Sequence, residues 1–231
     1  MAVKFFTNIL QDTYQRKFLS LLVTILLYLG FIPLIDQFVR LRFLLDIFFS
    51  LILLTAIVAV RQEKKHTLIA LALGVPMFAA VWLSRFFPGQ WLSIGANLLT
   101  AIFFGYTLIR LLTFIFTESR VTSNIIYAAI IVYLLMGLLW ADFYQLLHFL
   151  QPGAFDIAGI ESDNPQRVLV YFSYVTLTTL GYGDISPLTD MGFSLAILEA
   201  IIGQLFLTVM IARLVGLHIA HSGGDGHKGQ Q

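Results

Sequence analysis

Residues 171–187 read Tyr171-Phe172-Ser173-Tyr174-Val175-Thr176-Leu177-Thr178-Thr179-Leu180-Gly181-Tyr182-Gly183-Asp184-Ile185-Ser186-Pro187. An apolar, Thr-rich run over about 167–180 breaks on two glycines that bracket one bulky residue. The run is too short to cross a bilayer, which takes about 20 mostly apolar residues. The segments on either side, about 124–149 and 192–219, are each long enough. A short apolar run between two spans, stopping on glycines, reads as a re-entrant segment. Irregular backbone is tolerated at membrane depth only where protein or a water-filled cavity covers it.

The rest of the chain supplies that cover. Of its 231 residues 58% are hydrophobic and 12% charged, and the mean hydropathy is +0.86. A soluble domain carries about 25% charged residues. At half that fraction the surface must face lipid. The net charge of +1 gives no field for nucleic acid, and no nucleic-acid partner is expected. With no cysteine, disulfides, thiolate metal sites and cysteine catalysis are excluded. No catalytic constellation and no nucleotide motif stands out, so an enzyme is not expected.

Six segments qualify as spans, at about 18–35, 43–60, 67–84, 91–116, 124–149 and 192–219. The first runs on to Ile35, longer than a secretory signal core, and no small-x-small cleavage site closes it. The fold expected is an all-α membrane protein with six transmembrane helices plus a re-entrant helix and loop. Residues 1–17 read as an interfacial helix with Phe5, Phe6, Ile9, Leu10 and Tyr14 on one face, the alternative being a frayed terminus. Residues 18–120 form a four-helix peripheral domain and 121–221 the domain around the re-entrant segment. Residues 222–231 form a Gly-rich tail expected to be disordered.

Lys and Arg set the orientation. With the N-terminus in the cytoplasm, the inner side holds Lys4, Arg16, Lys17, Arg61, Lys64, Lys65, Arg110, Arg120, Arg213 and Lys228. The outer side holds Arg40, Arg42, Arg85 and Arg167. Both termini are then cytoplasmic, the re-entrant segment enters from outside, and the expected location is the inner or plasma membrane of a cell.

Thr179-Leu180-Gly181-Tyr182-Gly183, followed by Asp184, resembles the potassium-channel pore family, whose usual filter is Thr-Val-Gly-Tyr-Gly. Leu180 in place of Val is the only departure within the five residues. The resemblance covers about 125–219 well, and the first four helices only by number and topology. It implies a homotetramer in the bilayer, with each subunit giving one filter strand and K⁺ as the permeant ion. Thr179, Leu180, Gly181 and Tyr182 are the expected K⁺ ligands and Gly183 completes the filter. No organic cofactor is implied.

A physical argument stands beside the resemblance. K⁺ must exchange water for protein oxygens of similar field, and rings of backbone carbonyls can supply them. Turning successive carbonyls to one side needs dihedrals of alternating hand, and glycine takes positive φ without a Cβ penalty. Tyr182 is expected to pack behind the filter with its hydroxyl on the pore helix, and Asp184 to sit at the outer mouth and tie the filter to that helix. A helix ending at the filter would aim its partial negative charge at the cavity below.

Other polar residues are weaker candidates. Thr178 and Glu199 are expected to support the filter, Glu199 bracing pore helix or filter backbone, with an interfacial side chain as the alternative. Gly203 aligns with a hinge glycine in related inner helices, the alternative being close helix packing. Gln204, Leu207, Thr208 and Ile211 share one helical face and are candidates to line a cavity. Asp46 is expected to be a paired carboxylate, with Arg42 four residues before it on the same face. Arg110 is the only cation of the fourth span, whereas strong voltage gating takes about three or four charges per subunit. Two rivals remain: a potassium transporter subunit, and a non-conducting membrane sensor of the same fold.

Overall fold

A computed structural model describes residues 17–35, 42–60, 64–87, 89–157 and 165–225. The expected interfacial helix over 1–17 lies outside them, apart from Lys17. Among the described residues five helices precede residue 151: α1 Lys17–Ile35, α2 Arg42–Val60, α3 Lys64–Phe86, α4 Gln90–Thr117 and α5 Ser123–Leu150. Strand β1 Phe155–Asp156, helix α6 Pro165–Leu177, strand β2 Ser186–Pro187 and helix α7 Asp190–Asp225 follow.

Helices α3, α4, α5 and the Asp190–Ile219 part of α7 are long and apolar enough to cross a membrane. The apolar helices α1 and α2 have 19 residues each. At 1.5 Å per residue each spans about 28 Å, just under the hydrocarbon thickness of about 30 Å. Helix α6 has 13 residues, about 20 Å, and cannot cross. Pro165 occupies its first position, where a missing N–H costs nothing and the fixed φ suits a helix.

Helices α1–α4 pack in sequence order as α1 on α2, α2 on α3 and α3 on α4. Both α1 and α4 also pack on α5, which holds α6 and α7 on its other side. A connection of five residues, 118–122, turns α4 directly into α5, so the bundle leans on the α5–α7 region of its own chain. Two side-chain bonds clip α4 to α5: Asn97 Nδ2 donates to Asp142 O at 3.4 Å, and Gln90 Nε2 to Phe149 O at 3.2 Å.

Three local features go beyond the sequence reading. The described elements are helical apart from one short ladder. Strands β1 and β2 pair antiparallel, Phe155 with Pro187 and Asp156 with Ser186, and Leu188 N donates to Ala154 O at 2.8 Å. This two-residue ladder pins both ends of the re-entrant excursion, and no run of two residues announces itself by periodicity. Helix α7 continues to Asp225, past the expected start of the tail at 222. Asp46 pairs with Arg85 of α3, 3.4 Å away, because the antiparallel α2–α3 hairpin brings the end of α3 beside the start of α2.

Candidate functional site

The site is built from the C-terminal end of α6 outward. Thr179 N donates to Thr176 O at 3.0 Å and Leu180 N to Val175 O at 2.9 Å. These two bonds form a Schellman cap, whose closing residue takes a left-handed conformation and is usually glycine. Here it is Thr179, with φ of 58°. A β-branched residue at positive φ is an outlier costing about 1–3 kcal/mol, and such strain gathers at functional positions. Glycine would relieve it, so something other than the turn requires a threonine here.

The left-handed conformation then recurs at every second residue. Gly181 has φ of 58° and Gly183 of 76°, while Leu180 and Tyr182 between them are not at positive φ. Open space surrounds both glycines, since an added Cβ would meet no atom within 4 Å. Their need for glycine is therefore a backbone need. All of 178–184 is exposed in the single chain, with Leu180 54% and Tyr182 67% accessible.

Behind this segment α6 is fastened along its length. Thr178 Oγ1 donates to Tyr174 O at 2.6 Å and Tyr133 Oη to Leu177 O at 3.2 Å. Tyr174 Oη donates to Leu134 O at 2.6 Å, and its ring lies over Gly137, where a Cβ would come within 2.6 Å of it. Gly203 serves α7 in the same way. A Cβ there would stand 2.9 Å from Leu177 O, so the glycine lets α7 approach the last turn of α6, within an uninterrupted helix.

Glu199 is fully buried. Its carboxylate meets Tyr144 Oη of α5 and Ser173 Oγ of α6, the latter at 2.5 Å. Ser173 Oγ also lies 2.7 Å from Gly137 O, so three helices share one polar cluster. The Ser173 hydroxyl has one proton for two acceptors, and all three contacts are satisfied together only with a proton on Glu199. Beside the cluster Tyr144, Phe155 and Phe172 form a triangle of edge-on rings with centroids 5.0–5.6 Å apart.

Sequence reasoning missed the partner of Asp184. Tyr171 Oη donates to Asp184 Oδ2 at 2.6 Å, tying the segment after Gly183 to α6. That bond, then slight burial and the nearby carboxylate charge, push the Tyr171 phenol up to about 12, so it remains a donor at neutral pH. Tyr182 is exposed in the single chain, which offers no wall on that side. Tyr144 and Ser173 were also passed over, as isolated polar residues in apolar helices whose partner Glu199 lies 55 and 26 positions away, and so was Asp142, whose carboxylate Oδ2 has no hydrogen-bond partner.

Gln204, Thr208 and Ile211 are exposed on α7 and Leu207 is half-buried. Near the far end of α7, Arg213 Nη2 donates to Phe116 O and Glu118 O, both at 3.0 Å, with its guanidinium 5.2 Å from the Phe116 ring. This caps the terminal carbonyls of α4 with a cation, as the helix dipole favours.

Residues 154–218 match the family model described as "Ion channel". The match runs from just before β1, through α6 and the 179–183 segment, to the described span of α7. It gives the chain an ion-channel segment, and together with the apolar helices it marks a membrane protein. No curated protein and no solved structure matches the chain significantly.

Proposed function

We propose that the chain is one subunit of a potassium-selective channel, with four copies placing their 179–183 segments around a shared axis. The observation that carries this reading is the alternation of handedness at Thr179, Gly181 and Gly183, immediately beyond the C-terminus of α6. Alternating dihedrals turn successive carbonyls to one side, giving stacked oxygens that replace the water of a dehydrated K⁺. Two further features support it. The strained residue is a threonine, whose hydroxyl adds an oxygen at the inner end. The segment lies bare on one chain, as a surface shared among copies must.

In this reading the ligands of K⁺ are the carbonyls of Thr179, Leu180, Gly181 and Tyr182, and Gly183 completes the filter. Asp184 stands at the mouth, held by Tyr171. Thr178 and Glu199 support the filter from behind, and Gln204, Leu207, Thr208 and Ile211 line the cavity below. Gly203 supplies a close contact at rest and a candidate bending point. The membrane is the inner or plasma membrane, crossed six times, α1 and α2 included, with cytoplasmic termini. Ions move by electrodiffusion in single file, without steep voltage dependence, because α4 carries the single cation Arg110.

The test is a reversal-potential measurement in a planar bilayer with K⁺ and Na⁺ on opposite sides. A potential near the K⁺ equilibrium value is expected. Replacing Gly181 or Gly183 by Ala puts a Cβ at positive φ and should abolish conduction or its K⁺ preference. Wild-type discrimination in either variant overturns the filter assignment.

A further inference from the structure

The structure holds a second polar space, away from the 179–183 segment. A cavity of about 190 Å³ opens between the bundle and the α5–α6 pair. Asp46, Arg85, Ser93, Asn97, Asp142 and Gln145 contribute to its wall. Its two carboxylates differ in their counter-charges. Asp46 Oδ2 accepts no hydrogen bond but has Arg85 Nε 3.4 Å away as an ion-pair partner. Asp142 is only 7% exposed, its Oδ2 has no hydrogen-bond partner, and no cationic side chain among the described residues forms an ion pair with it. A buried carboxylate without a partner is costly, and within a membrane such a group marks a ligand, ion or proton site.

We propose that this cavity binds a small monovalent cation, of alkali-ion or ammonium size, on the Asp142 carboxylate. An Asp142 carboxylate with no ion-pair partner among the described residues can be balanced by one positive charge, and Arg85 and Arg167 on the same wall oppose any larger one, which disfavours divalent ions. The wall offers carboxylate, amide and hydroxyl oxygens, the donors that hard cations prefer. Among the described residues no three His, Asp or Glu side chains gather as a transition metal would require. At about 30 Å³ per water the space holds a cation with part of its hydration shell. Because the wall draws on α2, α3, α4, α5 and α6, an occupied site ties the bundle to the helix that carries the proposed filter.

Thallium acetate is the probe, since Tl⁺ substitutes for alkali ions and scatters anomalously. Crystals of the full chain soaked in it should give an anomalous peak in contact with Asp142, lost in Asp142→Asn. A wild-type cavity holding only water overturns the proposal, as does a peak that persists unchanged in the variant. If the variant does not assemble, the wild-type map decides alone. In solution, Na⁺ replacing N-methyl-D-glucamine should raise the thermal midpoint of the wild type. An unchanged midpoint counts against the site. Peaks at 179–183 test the proposed filter separately, and their absence would leave the Asp142 result standing.

Discussion

Asp142 and Tyr144 lie two residues apart on α5 and face opposite ways, as a helical period of 3.6 requires. Tyr144 turns towards α6 and α7, where its hydroxyl meets the buried carboxylate of Glu199. Asp142 turns towards α1–α4 and leaves its own carboxylate unmatched on a cavity wall. Both acids are buried, yet one sits in a closed network and the other does not. A satisfied polar cluster rigidifies what it joins, whereas a partly satisfied one is costly until something fills it. The face towards α6 and α7 is built to hold three helices still, and the face towards the bundle is built to receive a guest.

The largest effect is expected at the closed cluster. Glu199→Ala strands the Tyr144 hydroxyl, leaves Ser173 only its bond to Gly137 O and opens a cavity among three helices, and should cost about 3 kcal/mol. Glu199→Gln, whose amide donates as a protonated acid does, should cost less than half as much. Unfolding in graded detergent denaturant measures both. Equal losses in the two variants would break the distinction, since they would mean that the cluster needs a charge and not a donor.

Gly137 belongs to the same stripe of α5 as Tyr144, seven residues earlier. The Tyr174 ring above it is pinned by its bond to Leu134 O and cannot swing clear of a new methyl. Gly137→Ala should therefore cost about 2 kcal/mol through overpacking. Adding Tyr174→Leu removes the ring, so the Ala substitution should then cost little. A full penalty in the Tyr174→Leu background would place the strain elsewhere.

How much of this was legible in sequence depended on distance along the chain. Four of the six expected spans declared themselves by length and composition, and the glycine spacing of 181 and 183 pointed at the backbone they adopt. Thr179 was read for its hydroxyl, but its left-handed backbone depends on the helix cap that Val175 and Thr176 complete. Glu199 stood out as a charge in an apolar helix. Its partners could not be named, because Tyr144 and Ser173 are ordinary residues until three helices meet. Asp46 was expected to be a paired carboxylate, and the hairpin supplies Arg85, a partner some forty residues away that spacing could not name. Asp142 drew no notice, since nothing in a sequence separates an acid with a partner from one without. Helices α5 and α7 make the same point. The two are almost equally apolar, yet 61% of the one span is buried and 17% of the other. Hydropathy reports that a helix avoids water and is silent on whether its partner is its own chain, a neighbour or lipid.

The smallest expected effect is also the one that best sharpens the contrast. In a buffer whose only cation is N-methyl-D-glucamine, too bulky for the cavity, Asp142→Asn removes an unmatched buried charge and breaks no ion pair. Its stability should stay within about 1 kcal/mol of the wild type, on the favourable side. Adding Na⁺ should then stabilise the wild type and leave the variant behind, reversing their order. The isosteric change of carboxylate to amide thus has the sign of its effect set by the solvent at Asp142, but not at Glu199, where the partners are protein. If Asp142→Asn proves as costly as Glu199→Ala without small cations, Asp142 is held by the fold and the two faces of α5 are alike.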